Sequence, residues 1–279
     1  MNSGMSVPRR VLIVNPASGR GRAQSLDLVG HCRARGIETV IRQVGDDISE
    51  LARAAVAGGA EMLGMAGGDG SQAAVAAVAA KYDVPYVCVP AGTRNHFALD
   101  LGVDRKDVIG ALEAFLDGTE RRIDLARVND RVFVNNASMG LYGRIVQSRE
   151  YRDAKLRTVI GKLPDLVGPA AERFDLRFTG PDGREHPDAA LLLVSNNPYL
   201  FDPRPDRGTR GAMDGGTLGV VSVTNRPPRQ GLREWATPAF RVESDKAVEA
   251  GLDGEAVVMD PPLIFESLPS ALRIRVPRP

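Results

Sequence analysis

The stretch Met62–Lys81 constrains this chain more than any other. Met62-Leu63-Gly64-Met65-Ala66 is an apolar run that reads as the end of a buried strand. Gly67-Gly68-Asp69-Gly70-Ser71 follows, and then an alanine-rich run, Gln72–Lys81, that reads as a helix. A strand, a glycine turn and a helix in immediate succession open a parallel α/β unit. Glycines at 67, 68 and 70 free the backbone to take positive φ and to approach a bulky anion. The N–H groups of such a turn face the anion, and the helix dipole favours its negative charge. Ser71 is placed to cap the helix or to offer a hydroxyl. Asp69 repels phosphate unless a cation lies between them, so the combination points to a nucleotide with Mg²⁺. The competing reading is a purely structural glycine turn.

The flanking sequence repeats the pattern. Val11–Val14, Ile37–Gln43, Glu61–Ala66 and Val84–Val89 read as strands. Helices are predicted from the Ala17–Arg22 loop to about Arg35, over Asp47–Ala57, over Gln72–Lys81 and over Val103–Leu116. Strands alternating with helices imply a parallel sheet, whose ligands sit beyond the carboxyl ends of the strands. Asn15, Gln43, Asp69 and Thr93 all stand at those ends. Gly19-x-Gly21 lacks a third glycine, because Gln24 stands in its place, so a dinucleotide fingerprint is incomplete.

The signals change near Asp124. Arg122–Val128 and Arg131–Asn136 read as a hairpin over Asn129-Asp130, and Leu141–Ala171 as helical. From Phe174 onward the pattern is β: Phe174–Thr179, Ala189–Ser195, Leu218–Thr224, Ala239–Ser244, Ala247–Leu252 and Leu272–Val276, with a long loop over Asn196–Met213. An antiparallel sandwich or barrel is expected there.

Composition narrows the function classes. The net charge of +1 gives no reason to expect nucleic acid as a partner. Two cysteines, Cys32 and Cys88, suit a reducing compartment. No run approaches the length of a membrane span, and Asn15-Pro16 ends the first apolar run too soon for a signal peptide. A cytoplasmic protein, compatible with peripheral membrane contact, is expected; no oligomer is indicated. There is no GxxxxGK[ST], HExxH or GxSxG, and His31, His96 and His186 have no metal-ligand spacing. The remaining acidic candidates beside glycine or at strand edges are Asp124, Asp214, Asp253 and Glu255.

A set of motifs then falls in one order: Asn15-Pro16-x-Ser18-Gly19, Gly67-Gly68-Asp69-Gly70-Ser71, Pro90-x-Gly92-Thr93-x-Asn95-x-Phe97-Ala98, Ile123-Asp124-Leu125, Phe133-x-Asn135 and Asp253-Gly254-Glu255. In this the chain resembles the diacylglycerol kinase catalytic family, which includes bacterial lipid kinases and sphingosine kinases, from about Val11 to Val276. The resemblance implies an α/β-plus-β fold. A doubly wound parallel-sheet nucleotide domain, like those of NAD kinases and phosphofructokinases, would cover 1–123 with a returning strand at about 262–279. An antiparallel β-sandwich for the acceptor would cover 124–261. It implies ATP contacts from Asn15, Pro16, Ala17, Ser18 and Gly19, from Gly67, Gly68, Asp69, Gly70 and Ser71, from Gly92, Thr93 and Asn95, and more loosely from Gln43. It implies Glu255 or Asp253 as the base. It implies Mg²⁺ held by a loop of Gly211, Asp214 and Gly216, with Asp69 and Asp124 contributing. The acceptor would be a hydroxyl of diacylglycerol or a related lipid at a membrane surface.

Three positions depart from the family pattern. Ser71 replaces threonine and keeps the hydroxyl. Ala74 stands for a glutamate and His96 for an aspartate, which removes two carboxylates near the phosphates. A weak or inactive nucleotide-binding regulator, or a kinase of a soluble alcohol, is therefore the alternative. His96 either bonds a phosphate oxygen when protonated or is a satisfied histidine at a helix start.

Overall fold

The computed structural model describes residues 8–140, 174–187, 189–200, 210–224 and 232–278. The chain divides into two compact units, Met1–Ile123 with Ser270–Pro279 and Asp124–Pro269.

In the first unit, Ile37–Ile41, Arg10–Val14, Met62–Gly67 and Tyr86–Pro90 pair in parallel in that spatial order. The strand Leu263–Pro277 lies beyond Tyr86–Pro90 and runs parallel to it at Ile274 and Arg275. Met62–Gly67 and Tyr86–Pro90 are buried along their whole length. A sheet covered on both faces demands this, which is why they read as unbroken apolar runs. The first strand lies between the second and the third, so the winding reverses between Arg10–Val14 and Met62–Gly67. Such a reversal opens a crevice at the carboxyl ends of those two strands.

The crossovers depart from expectation in detail. One helix to about Arg35 is instead three short pieces, Ser18–Arg20, Arg22–Ser25 and Leu28–Ala34. The break falls at Asp27, in the left-handed region with φ 45°, whose carboxylate accepts from the Gly30 amide. The second strand stops at Ile41, before Gln43. Val103–Leu116 yields only a 3-10 turn, Gly110–Glu113, and one helical turn, Ala114–Asp117. Ile48–Ala57 forms as expected, capped by Asp47, which accepts from the amides of Ser49 and Glu50.

The second unit has two layers. One is a six-stranded sheet in the order Leu232–Thr237, Leu218–Thr224, Ala189–Asn196, Asn136–Gly140, Val248–Leu252, Glu255–Met259. Every pairing in it is antiparallel. The other layer holds the end of Gly118–Val128, its hairpin partner Arg131–Phe133, and Ala239–Val242 paired antiparallel with Leu263–Glu266. Phe133, Phe240 and Phe265 of this layer pack with Met139, Leu192, Val194 and Leu218 of the other. Phe133 meets Phe265 edge to face, with ring centroids 6.4 Å apart. The expected antiparallel sandwich is present. Leu232–Thr237 and Glu255–Met259 were not expected as strands, because exposed charged or valine positions blur their alternation. Phe174–Thr179 shrinks to Phe178–Thr179, and the last strand lengthens to Leu263–Pro277. The helices expected over 141–171, and residues 201–209 of the expected long loop, lie outside the described residues.

Candidate active site

In the first unit three loops meet at the point where the winding reverses. Asn15 leaves the first strand, and its amide donates to the Ala66 carbonyl at 3.0 Å. The Asn15 Nδ2 donates to Ser71 Oγ at 3.3 Å, and its Oδ1 accepts from the Ala17 amide at 3.2 Å. Gly19, with φ 58°, lies against the third loop: a Cβ there would stand 2.2 Å from the Ala91 oxygen. Gly92 closes the set, since a Cβ on it would fall 2.4 Å from the Gly68 Cα. Only glycine lets these backbones approach so closely.

The helix after the glycine turn begins earlier than its composition suggests. It runs Asp69–Lys81 with Gly68 as N-cap, so Asp69, Gly70 and Ser71 form its first turn. Ser71 is therefore not the cap; it is nearly buried inside the helix and receives the Asn15 amide. Gly67, Gly68 and Gly70 do not take up left-handed backbone; a Cβ on Gly67 would press on Met65 and Ser71. Asp69 has a definite task. Its two oxygens accept the backbone N–H groups of His96 and Phe97 at 3.2 and 3.1 Å, joining the second loop to the third. Asn95, buried with φ 53°, folds its carboxamide back on its own loop. It accepts from the Gly92 amide and donates to the carbonyls of Pro90 and Gly92. Asn95 thus shapes the loop from inside, while Thr93 is exposed. Among the described residues Gln43 makes only local bonds, to Ile41 and Asp46.

Gln72 was not expected to matter. Its Nε2 donates to the carbonyls of Met65, Gly67 and Val89, and its Oε1 accepts from the Tyr86 hydroxyl. One buried amide therefore ties the ends of two neighbouring strands to the helix. The sequence signal is a lone amide in an otherwise apolar helix. His96 has its pKa lowered from the ordinary 6.5, first by burial, with Arg94 and Arg105 adding to the effect and Asp69 and Asp100 opposing it. A neutral imidazole is the resting form, so the protonated His96 phosphate ligand is not what this environment favours. Cys32 and Cys88 are buried free thiols, both pushed up by burial, Cys32 to about 11.

The second unit carries its own polar cluster. Asp124 is fully buried. Its Oδ2 accepts from the Gly216 amide at 2.7 Å and from Asn197 Nδ2 at 3.2 Å. Its own amide donates to the Met213 carbonyl at 2.7 Å. Asn197 Oδ1 accepts from the Gly215 amide at 2.9 Å. The turn Met213–Gly216 is thus fastened from below, with Asp214, like Gly211, exposed on it. Asp253 and Gly254, with φ 48° and 87°, make the two-residue turn between the paired residues Leu252 and Glu255. The Asp253 carboxylate accepts the backbone N–H groups of Val134, Asn135 and Asn136 at 2.8, 2.8 and 3.1 Å. Glu255 is exposed, and its carboxylate accepts no hydrogen bond among the described residues. Asn196 and Asn197 carry a signal in the sequence, polar residues at the end of the apolar run Ala189–Val194, whereas Arg210 carries none.

Asp69 lies in the first unit, and Asp124 and Asp214 in the second. The described residues contain no group of three or more His, Cys, Asp or Glu that could hold a metal ion. Asp69 and Asp124 already anchor backbone amides, and Asp124 has no exposed surface.

These features define a class of fold: a doubly wound α/β unit with glycine loops at its switch point, followed by an antiparallel sandwich. Residues 9–128 match the diacylglycerol kinase catalytic domain. It is 28% identical over 302 residues to a Pseudomonas aeruginosa protein named "Probable lipid kinase YegS-like", covering 96% of this chain and 94% of that one. It is 34% identical over 122 residues to a diacylglycerol kinase of Mycobacterium tuberculosis, 42% of this chain and 40% of that one. A diacylglycerol kinase crystal structure from Bacillus anthracis shares the fold at a TM-score of 0.68 and 19% identity, covering 97% of both chains. No helix among the described residues is long and apolar enough to cross a membrane.

Proposed function

We propose that this chain is an ATP-dependent kinase that transfers the γ-phosphoryl group to a hydroxyl of diacylglycerol or a related lipid. The observation that carries the reading is the meeting of the Asn15–Gly19, Gly67–Ser71 and Ala91–Asn95 loops at the switch point of a parallel sheet. Close-packed glycine backbones and the first turn of the Asp69–Lys81 helix form a cradle suited to phosphates. Phosphoryl transfer needs placement and charge neutralisation more than covalent help. Mg²⁺, when bound, would supply that neutralisation. Asp214, exposed on the Met213–Gly216 turn, is the carboxylate we assign to it, with Asp69 and Asp124 fastening backbone amides.

Glu255 is the better base. Asp253 already accepts three backbone amides, and protonating it would weaken all three. Glu255 is exposed, and is the residue we assign to accept the proton of the acceptor hydroxyl. Transfer of label from ATP to a panel of lipids and polyols tests the activity. Lipid labelling is expected; labelling of polyols alone would move the acceptor to a soluble alcohol. Glu255→Gln should leave ATP binding near wild type and slow transfer by roughly 10²–10⁴-fold. Unchanged turnover would remove Glu255 from the reaction.

A second reading has its own observation. The neutral His96 and the apolar Ala74 leave the cradle short of carboxylates. ATP binding without transfer to any acceptor would favour a nucleotide-binding regulator.

A further inference from the structure

We propose that Arg210 is a positioning residue for Glu255, acting through the Val134–Asn136 segment; this rests on reading Glu255 as the base. Arg210 is 6% exposed. Its Nη1 donates to the carbonyls of Val134 and Asn196 at 2.6 and 2.9 Å, and its Nη2 to Asn135 Oδ1 at 3.0 Å. On the opposite edge of the same segment, Asp253 accepts the amides of Val134, Asn135 and Asn136. The peptide group joining Val134 to Asn135 is therefore held at its oxygen by a guanidinium and at its N–H by a carboxylate. Each charge polarises the peptide in the direction that strengthens the other bond.

The segment needs this treatment. It links Arg131–Phe133 of one layer to Asn136–Gly140 of the other. Val134 and Asn135 are buried there between the two strands. Side chains supply the partners of both N–H groups and of the Val134 carbonyl, and the Asn196 amide donates to the Asn135 carbonyl. The consequence reaches Glu255 through a short, stiff path. Asp253 also donates its own amide to the Asn136 carbonyl at 2.9 Å. Glu255 follows two residues later, its register fixed by pairing with Leu252. If the Val134–Asn136 segment shifts, the Asp253 turn shifts with it, and Glu255 moves off its line of approach. Lysine cannot do the same work, because only the planar fork reaches a carbonyl and a neighbouring side-chain oxygen together.

The test uses Arg210→Lys, alone and with Glu255→Gln, in the full chain. Amide hydrogen exchange should quicken at Val134–Asn136 and Leu252–Glu255, and stay unchanged in Met62–Gly67. For transfer, kcat should fall roughly a hundredfold, as expected of a misplaced group, with KM for ATP near wild type. On the Glu255→Gln background the same change should add nothing, because both act through one group. A similar loss on both backgrounds, a change in KM alone, or unaltered exchange at Val134–Asn136 would overturn the role of Arg210. An inactive wild type, or a fully active Glu255→Gln, would instead overturn the reading of Glu255 beneath it.

Discussion

Asp69 shows how one carboxylate in a glycine turn takes a role that composition alone does not reveal. It stands in the first turn of its helix yet fastens the amides of His96 and Phe97 in another loop. Asp69→Asn keeps one acceptor and loses the charge, at a cost of about 1–2 kcal/mol. It should weaken nucleotide binding as well, because the third loop loosens. A thermal melt with a nucleotide titration checks this; a lowered Tm with unaltered binding would leave Asp69 a purely structural role. His96 gives a pH prediction. Its pKa is lowered on folding from 6.5, so below that pH the unfolded chain binds more protons than the folded one. The stability that His96 contributes is full above 6.5 and is lost as the pH falls. His96→Gln should flatten the acid side of the stability curve between pH 5 and 7, measured by denaturant titration; an unchanged slope would refute it.

At the level of elements, the parallel strands were legible because sheets buried on both faces need unbroken apolar runs, and Val11–Val14 and Met62–Ala66 are such runs. The glycine loops were legible because close approach leaves few residue choices. Gly92→Ala would push a Cβ to 2.4 Å from the Gly68 Cα, and both partners are backbone. It should cost about 1–3 kcal/mol and reduce nucleotide affinity, read by melting and by isothermal titration. Wild-type values in both would mean the loops do not touch as described. What was not legible is just as instructive. Asp27 broke the first helix through its own backbone conformation, which polarity patterns do not encode. Gln72, Asn197 and Arg210 act on partners 17, 73 and 76 residues away, and no local periodicity marks such bonds. Of the two roles expected for Ser71, the cap is excluded because the helix begins two residues before it.

At the scale of the molecule, the chain passes between its units more than once. Gly118–Val128 and Leu263–Pro277 each contribute residues to both. The end of the second strand completes the first unit's sheet, burying Leu272 and Ile274 and pairing beside Tyr86–Pro90. Arg273 and Arg122 also meet Asp83 there, at exposed ion pairs of small weight. Deleting Ser270–Pro279 should therefore uncover the edge of a wholly buried strand and cause aggregation or a large drop in Tm. A soluble truncation melting like the full chain would sink this. The DGE motif and the glycine loops fall in separate compact units, which divide at Ile123/Asp124 and Pro269/Ser270.

The anchors of Asn95, Asp69 and Gln72 have one more consequence. Their polar atoms bond the protein's own backbone, so the cradle is already set before any ligand arrives. A preorganised site avoids the entropy of ordering loops on binding. Calorimetrically, nucleotide association should then show a small heat-capacity change, reflecting the apolar area of the base rather than coupled folding.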